Sequence, residues 1–178
     1  MKGIMYWHPK LYAITMKFLY GANMYFKRYE HIAREVEGLS VLDVGCGDCY
    51  LANYLPKNKY QGIDINRAFL GSARKKGLKV KYVDVIKQEI PEAECIIISG
   101  ILHQLYPHHE EVLKKALKVT TKKLIICEPT THLASSNNIF LKKIARMINN
   151  PGYGSPKKRL SKNELFELYK NYNVDKLY

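Results

Sequence analysis

The chain has 178 residues, 47% of them hydrophobic and 25% charged, a globular composition with enough length to bury a core without disulfide or metal staples. No apolar run approaches the roughly 20 residues of a membrane span, and the first nine residues, with Tyr6, Trp7 and Pro9, lack the clean apolar stretch of a signal peptide. Four scattered cysteines, Cys46, Cys49, Cys95 and Cys127, do not make a secreted disulfide scaffold, so a cytoplasmic location is the expectation. Lys and Arg number 29 against 16 Asp and Glu, a net charge of +13. The excess sits at the ends: residues 1–38 carry six basic and three acidic side chains, residues 139–178 nine and three, and the longer 39–138 fourteen and ten. Such a surface attracts phosphates, nucleic acids and anionic membranes.

In chain order, residues 9–37 read as two helices. Pro9 suits a first helical position, Gly21 separates the pair, and Gly38 ends the second as a C-cap. A helical wheel from Lys10 places Lys10, Lys17 and Arg28 on one narrow stripe, with Leu11, Phe18, Ala22, Phe26 and Tyr29 on the broad remaining face. The period then changes. Short apolar runs at 40–44, 60–65, 80–83, 95–99 and 124–127 alternate with helical spacing at 50–55, 68–76 and 109–119. That alternation predicts a doubly wound, mostly parallel α/β sheet covered on both faces.

After Pro129 the spacing predicts an amphipathic helix over 137–148 and a breaker-rich loop over 149–156. A capping box, Ser161 to Glu164, starts a last helix running to about Tyr169, and residues 173–178 have the look of a sixth strand. The chain reads as a single domain: a helical cap over 1–38, a ligand-binding core over 39–129, a cap insertion over 130–160, and a last helix and strand over 161–178.

The informative stretch is Asp43-Val44-Gly45-Cys46-Gly47, a buried strand running into a glycine turn. Glycines there let a ligand approach the backbone at the carboxyl end of the first strand, and a following helix would supply unpaired N–H groups. The second strand ends in Gly62-Ile63-Asp64, whose carboxylate can accept both hydroxyls of a ribose. The third ends in Asp84-Val85, a second acid on the same sheet edge.

From about Ser40 to Pro129 these residues resemble the class I S-adenosylmethionine-dependent methyltransferases. Asp43-Val44-Gly45-Cys46-Gly47 is similar to that family's first motif, Gly62-Ile63-Asp64-Ile65 to its second and Asp84-Val85 to its third. Residues 97–105, from Ile97 through Ser99 and His103, resemble its fourth-strand segment, and Cys127-Glu128-Pro129 the end of its fifth strand. The resemblance implies a Rossmann-like methyltransferase fold and S-adenosylmethionine as cofactor. It implies that Gly45 and Gly47, with Cys46 between them, line the amino-acid part of the cofactor, with Asp43 structuring the loop. Asp64 would hold the ribose, Ile65 would pack on the adenine, Asp84 and the Val85 backbone would meet its polar edge, and Ser99 would lie beside the sulfonium. Two departures stand out. Cys49 replaces a usual third glycine, and there is room for one last strand where the family has a hairpin.

Other readings of the same residues are weaker. Cys46-Gly47-Asp48-Cys49 is a C-x-x-C, but the acids that follow it have no part in dithiol exchange, and no second pair completes a zinc site. A nicotinamide oxidoreductase would share the Asp64 position, yet its third glycine falls on Tyr50 and Asp84 would be unexplained. A non-catalytic binding module on the same fold is the third reading, and no P-loop lysine follows the glycines. His103, just past the fourth strand, is a candidate base or a packed histidine; Asp48 reads as a helix-start carboxylate. No metal site is expected. The acceptor expected is small, or lipid-like and reached with peripheral membrane contact, since aromatic helices and a basic segment flank the site. Nucleic acid is possible but less favoured, because an open basic groove with stacking residues is not evident.

Overall fold

The computed structural model describes residues 3–20, 22–128, 160–170 and 172. Helices α1 (Pro9–Tyr20) and α2 (Ala22–Glu35) precede strands β1 (Val41–Val44) and β2 (Tyr60–Asp64). Helix α3 (Arg67–Lys75) leads to β3 (Lys79–Tyr82), then come β4 (Ala93–Ser99), α4 (His109–Val119), β5 (Thr120–Cys127) and α5 (Lys162–Lys170). The sheet order is β3-β2-β1-β4-β5, and every pairing is parallel. This is the doubly wound α/β arrangement that the alternating pattern predicts.

The continuous apolar runs are explained by burial on both faces. In β4, Cys95 and Ile97 join the core on one face and Ile96 and Ile98 the core on the other, all of them without exposure. On the first face pack Tyr29 and Ile32 of α2, Val36 just after it, and Leu70 and Ala73 of α3. The second face receives Val112, Leu113 and Ala116 of α4 and Leu165 and Leu168 of α5. Among the described residues β3 and β5 are the outer strands, and both carry exposed lysines, Lys79 and Lys81 on β3 and Lys122 and Lys123 on β5. Among the described residues no helix is long and apolar enough to cross a membrane.

Helix boundaries follow local chemistry. Gly21 falls between α1 and α2. The Ser161 N–H donates to Glu164 Oε2 at 2.8 Å and the Glu164 N–H donates to Ser161 Oγ at 3.2 Å, closing the capping box that starts α5. One expected helix is absent: residues 50–54 form a single 3-10 turn, not an α-helix. Pro56 holds Leu55 in an extended conformation, φ −124° and ψ 149°, so the segment is too short to nucleate α-helix. The helix over 137–148, the loop over 149–156 and the strand over 173–178 lie outside the described residues, as does the cap insertion apart from its final residue, Leu160.

Candidate active site

β1 and β4 are neighbours whose chains leave toward opposite faces of the sheet, and a crevice opens above their carboxyl ends. A cavity of about 220 Å³ lies there, walled by the segments after β1, β2, β3 and β4 and by α1 and α2. The glycine turn is tied down first. The N–H groups of Gly45 and Cys46 both donate to the Ile63 carbonyl, at 2.8 and 3.1 Å. Gly45 has φ +69°, and a Cβ there would come within 2.6 Å of Ile101 Cδ1, so only glycine fits beneath the β4 loop. Gly47 has φ +53° and faces open space, with nothing within 4 Å of a Cβ built on it.

Asp64 is fixed by the same turn. Its Oδ2 accepts the Gly47 N–H at 2.8 Å and its Oδ1 accepts the Asn66 N–H at 2.7 Å. Asp84 accepts the Ile86 N–H at 3.2 Å and has Lys87 Nζ at 3.8 Å. Asp43 is buried under the loop, accepting from the Tyr60 hydroxyl at 2.9 Å, and burial pushes its pKa up to about 7. Burial likewise raises Asp48 to about 6, against the attraction of Lys76 and Arg28. Asp48 lines the cavity and also accepts a backbone hydrogen bond from Tyr50, the first residue of the 3-10 turn, in keeping with its reading as a helix-start carboxylate. These four aspartates face two cavity-lining cations, Arg28 and Lys87.

All nine residues singled out in the glycine loop and at the strand ends line this cavity, from Asp43 through Gly45, Cys46, Gly47, Asp64, Ile65, Asp84 and Val85 to Ser99. His103 is not among the lining residues. It is buried, its Nδ1 is 2.8 Å from Glu128 Oε2, and Glu128 Oε1 accepts the Leu102 N–H at 2.7 Å. The carboxylate of Glu128 thus pins the segment after β4 to the end of β5. The C-x-x-C thiols lie 3.5 Å apart, both buried. Cys46 is held well above its ordinary pKa by the hydrogen bond from Cys49 and by burial, the opposite of a reactive thiol. Cys49 adopts the left-handed conformation, φ 58° and ψ 37°.

The other wall comes in part from the N-terminal aromatic helices, which the sequence suggests as a cap, and in part from Phe69, which it does not single out. Tyr6, Tyr12 and Met16, with Phe69 of α3, make it apolar and aromatic; Tyr12 sits 5.7 Å from Tyr6 and 5.4 Å from Phe69, ring centre to ring centre. Arg28 also turns inward. Its guanidinium lies 4.5 Å above the Tyr29 ring and donates to the Tyr29 hydroxyl at 2.6 Å, and its Nη1 would be 3.5 Å from a Cβ on Gly100 at the end of β4. A single wheel carried across Gly21 places Arg28 with the solvent-facing lysines; the break between α1 and α2 resets the phase. Each helix taken alone would have shown the difference.

The sequence profile of a family described as methyltransferase domain matches residues 35–170. The chain belongs to that family. Its methyltransferase domain is similar in fold to a SAM-dependent methyltransferase from Archaeoglobus fulgidus, with 21% identity, a TM-score of 0.57, and coverage of 82% of this chain and 65% of that one. It is similar also to the magnesium protoporphyrin IX methyltransferase of Synechocystis PCC 6803, solved with bound SAH, at 16% identity, TM-score 0.55, covering 82% and 71%. The cyclase SpnF shares the fold as well, at 16% identity and TM-score 0.55, covering 81% and 55%. The chain therefore spans less than two thirds of the length of several such structures, 65% and 55% in two of these. No curated protein sequence matches it.

Proposed function

We propose that this methyltransferase domain binds S-adenosylmethionine in the β1/β4 crevice and transfers its methyl group to a small or amphipathic acceptor. The observation that carries the reading is the pair of strand-end carboxylates, Asp64 and Asp84, held in one cavity with an open glycine turn. The residues fit the group. Asp64, oriented by the Gly47 and Asn66 N–H groups at the cavity wall, would accept from the ribose hydroxyls. Asp84 and the Val85 backbone would meet the polar edge of the adenine. The open space over Gly47 admits the amino-acid tail, and the Arg28 guanidinium beside Gly100 would pair with its carboxylate. The bound cofactor supplies an activated methyl on a sulfonium. The chain's own part is to align an acceptor atom with it and to keep water out.

For the acceptor, the Tyr6, Tyr12, Met16 and Phe69 wall supports an apolar or aromatic body, and Lys87 at the cavity an anionic group. The nicotinamide reading is disfavoured by Tyr50. Its ring packs on Phe26 and Tyr29, at 5.1 and 5.3 Å between centres, where a dinucleotide fold keeps a glycine for close approach. Calorimetric titration with S-adenosylhomocysteine, 5′-methylthioadenosine and NAD tests the proposal. The first two bind and NAD gives no heat; Arg28→Gln weakens the homocysteine compound and leaves methylthioadenosine, which has no carboxylate, unchanged. NAD binding without S-adenosylhomocysteine binding would overturn it, and binding without turnover on any acceptor would leave a binding module in its place.

A further inference from the structure

Helix α1 has two faces with different fates. Tyr12 and Met16, with Tyr6 just before the helix, look into the cavity. On the outer side Trp7 is 59% exposed, Leu11 39% and Ile14 64%. Leu11 and Ile14, three residues apart, share one face of the helix, and Trp7 extends this apolar stripe in sequence just before the helix begins. Among the described residues the exposed large hydrophobics are six, and the other three, Tyr106, Leu117 and Phe166, are scattered over a loop, α4 and α5. Single exposed apolar residues are ordinary; three within eight residues, one of them a tryptophan, are not.

The local sequence carries charges of one sign: apart from Arg28, which turns into the cavity, the first 29 residues hold Lys2, Lys10, Lys17 and Lys27 and no Asp or Glu. Lys10 and Lys17 are exposed beside the stripe. We propose that this face of α1 docks on a lipid bilayer bearing anionic headgroups. Trp7 and the aliphatic pair enter the headgroup boundary, and the lysines meet the lipid phosphates. A second copy of the chain is a poor occupant, since it would bring a net +13 against a net +13. Single-stranded RNA is a poorer fit too, because Leu11 and Ile14 give bases nothing to stack on. The helix on the bilayer is at the same time a wall of the cavity. An amphipathic acceptor could therefore be taken from the surface on which the enzyme sits, a consequence that rests on the methyl-transfer reading while the docking itself does not.

Trp7 is the chain's one tryptophan, so its emission reports on this face alone. The full chain is mixed with phosphatidylcholine vesicles with and without phosphatidylglycerol. The expected result is a blue shift and co-sedimentation with the anionic vesicles, reversed by added salt. The double variant Leu11→Ser, Ile14→Ser should bind those vesicles at least about tenfold more weakly, while its S-adenosylhomocysteine titration matches the parent's and shows an intact core. An unmoved Trp7 emission, an equal shift with neutral vesicles, or a double variant that binds like the parent overturns the proposal. RNA binding that leaves the Trp7 emission unmoved overturns it in favour of a nucleic-acid surface. Vesicle binding by a chain that takes no S-adenosylhomocysteine would uphold the docking face and remove the cofactor reading.

Discussion

The loops after β1 and β4 leave adjacent strands, with Val44 paired to Ile98, and both begin with a glycine at positive φ, Gly45 and Gly100. Beyond that they are built on opposite principles. The carboxyl end of β1 gathers carboxylates that burial works against, Asp43 near 7 and Asp48 near 6, and its partner Asp64 is held on the cavity wall by two backbone N–H groups. In the β4 loop the one carboxylate involved, Glu128, has each oxygen engaged, one on a backbone N–H and one on a histidine ring. A buried acid with every oxygen answered holds the scaffold together. An acid on the wall of a cavity stands where a ligand can meet it.

The largest expected effect falls on the scaffold side. Glu128→Ala strips the partner from the buried His103 ring and the Leu102 N–H and should lower stability by about 3–5 kcal/mol, read as a shift of the urea midpoint. Wherever the variant is folded it should bind S-adenosylhomocysteine like the parent. Asp64→Ala reverses the pattern. Binding should weaken by about 1.5–3 kcal/mol in calorimetry, with a smaller loss of stability from the released Gly47 and Asn66 N–H groups, about 1–2 kcal/mol. A variant of Asp64 that bound like the parent would erase the contrast between the two loops.

Titration sharpens the comparison further. Burial holds Asp43 and Asp48 near 7 and 6, above the ordinary aspartate value of 3.8. Over that interval the folded chain holds protons that the unfolded chain has released. Their contribution to stability therefore falls as pH rises from about 4 to about 7 and then levels off. Asp43→Asn should flatten this slope, with the variant's advantage over the parent widest at alkaline pH in urea melts. The smallest effect is expected at Cys49. Glycine there relieves the left-handed backbone but gives up a buried side chain, so Cys49→Gly should stay within about 1 kcal/mol of the parent and keep cofactor binding.

Most of the sheet and its functional edge were legible in the sequence because strands buried on both faces carry no other pattern. Residues 95–98 can hardly be anything else, and an acid directly after such a run, as at Asp64, must stand at a strand end. What stayed hidden depended on contacts between distant segments. Nothing in Ile97-Ile98-Ser99 announces that Glu128 will capture His103, because that contact spans 25 residues. The aromatic character of the N-terminal helices was legible, but not that Phe69 completes the wall, since Tyr12 and Phe69 meet only once α1 packs on α3. The 3-10 turn at Tyr50 was misread because apolar spacing over six residues suits a helix, while Pro56 forbids one.

The central position of β1 also bears on how the chain reaches this shape. β1 and β2 pair Val41 with Tyr60, a short-range step. The other side of β1 must wait for β4, and Ser40 meets Glu94 across 54 residues of sequence. Long-range pairings of this kind close slowly, because much chain entropy is lost before contacts compensate. The crevice lies on the seam between the two halves and exists only once both have joined. Ligand capture therefore reports completion of the final assembly step, and a bound molecule holds that late seam shut against local opening.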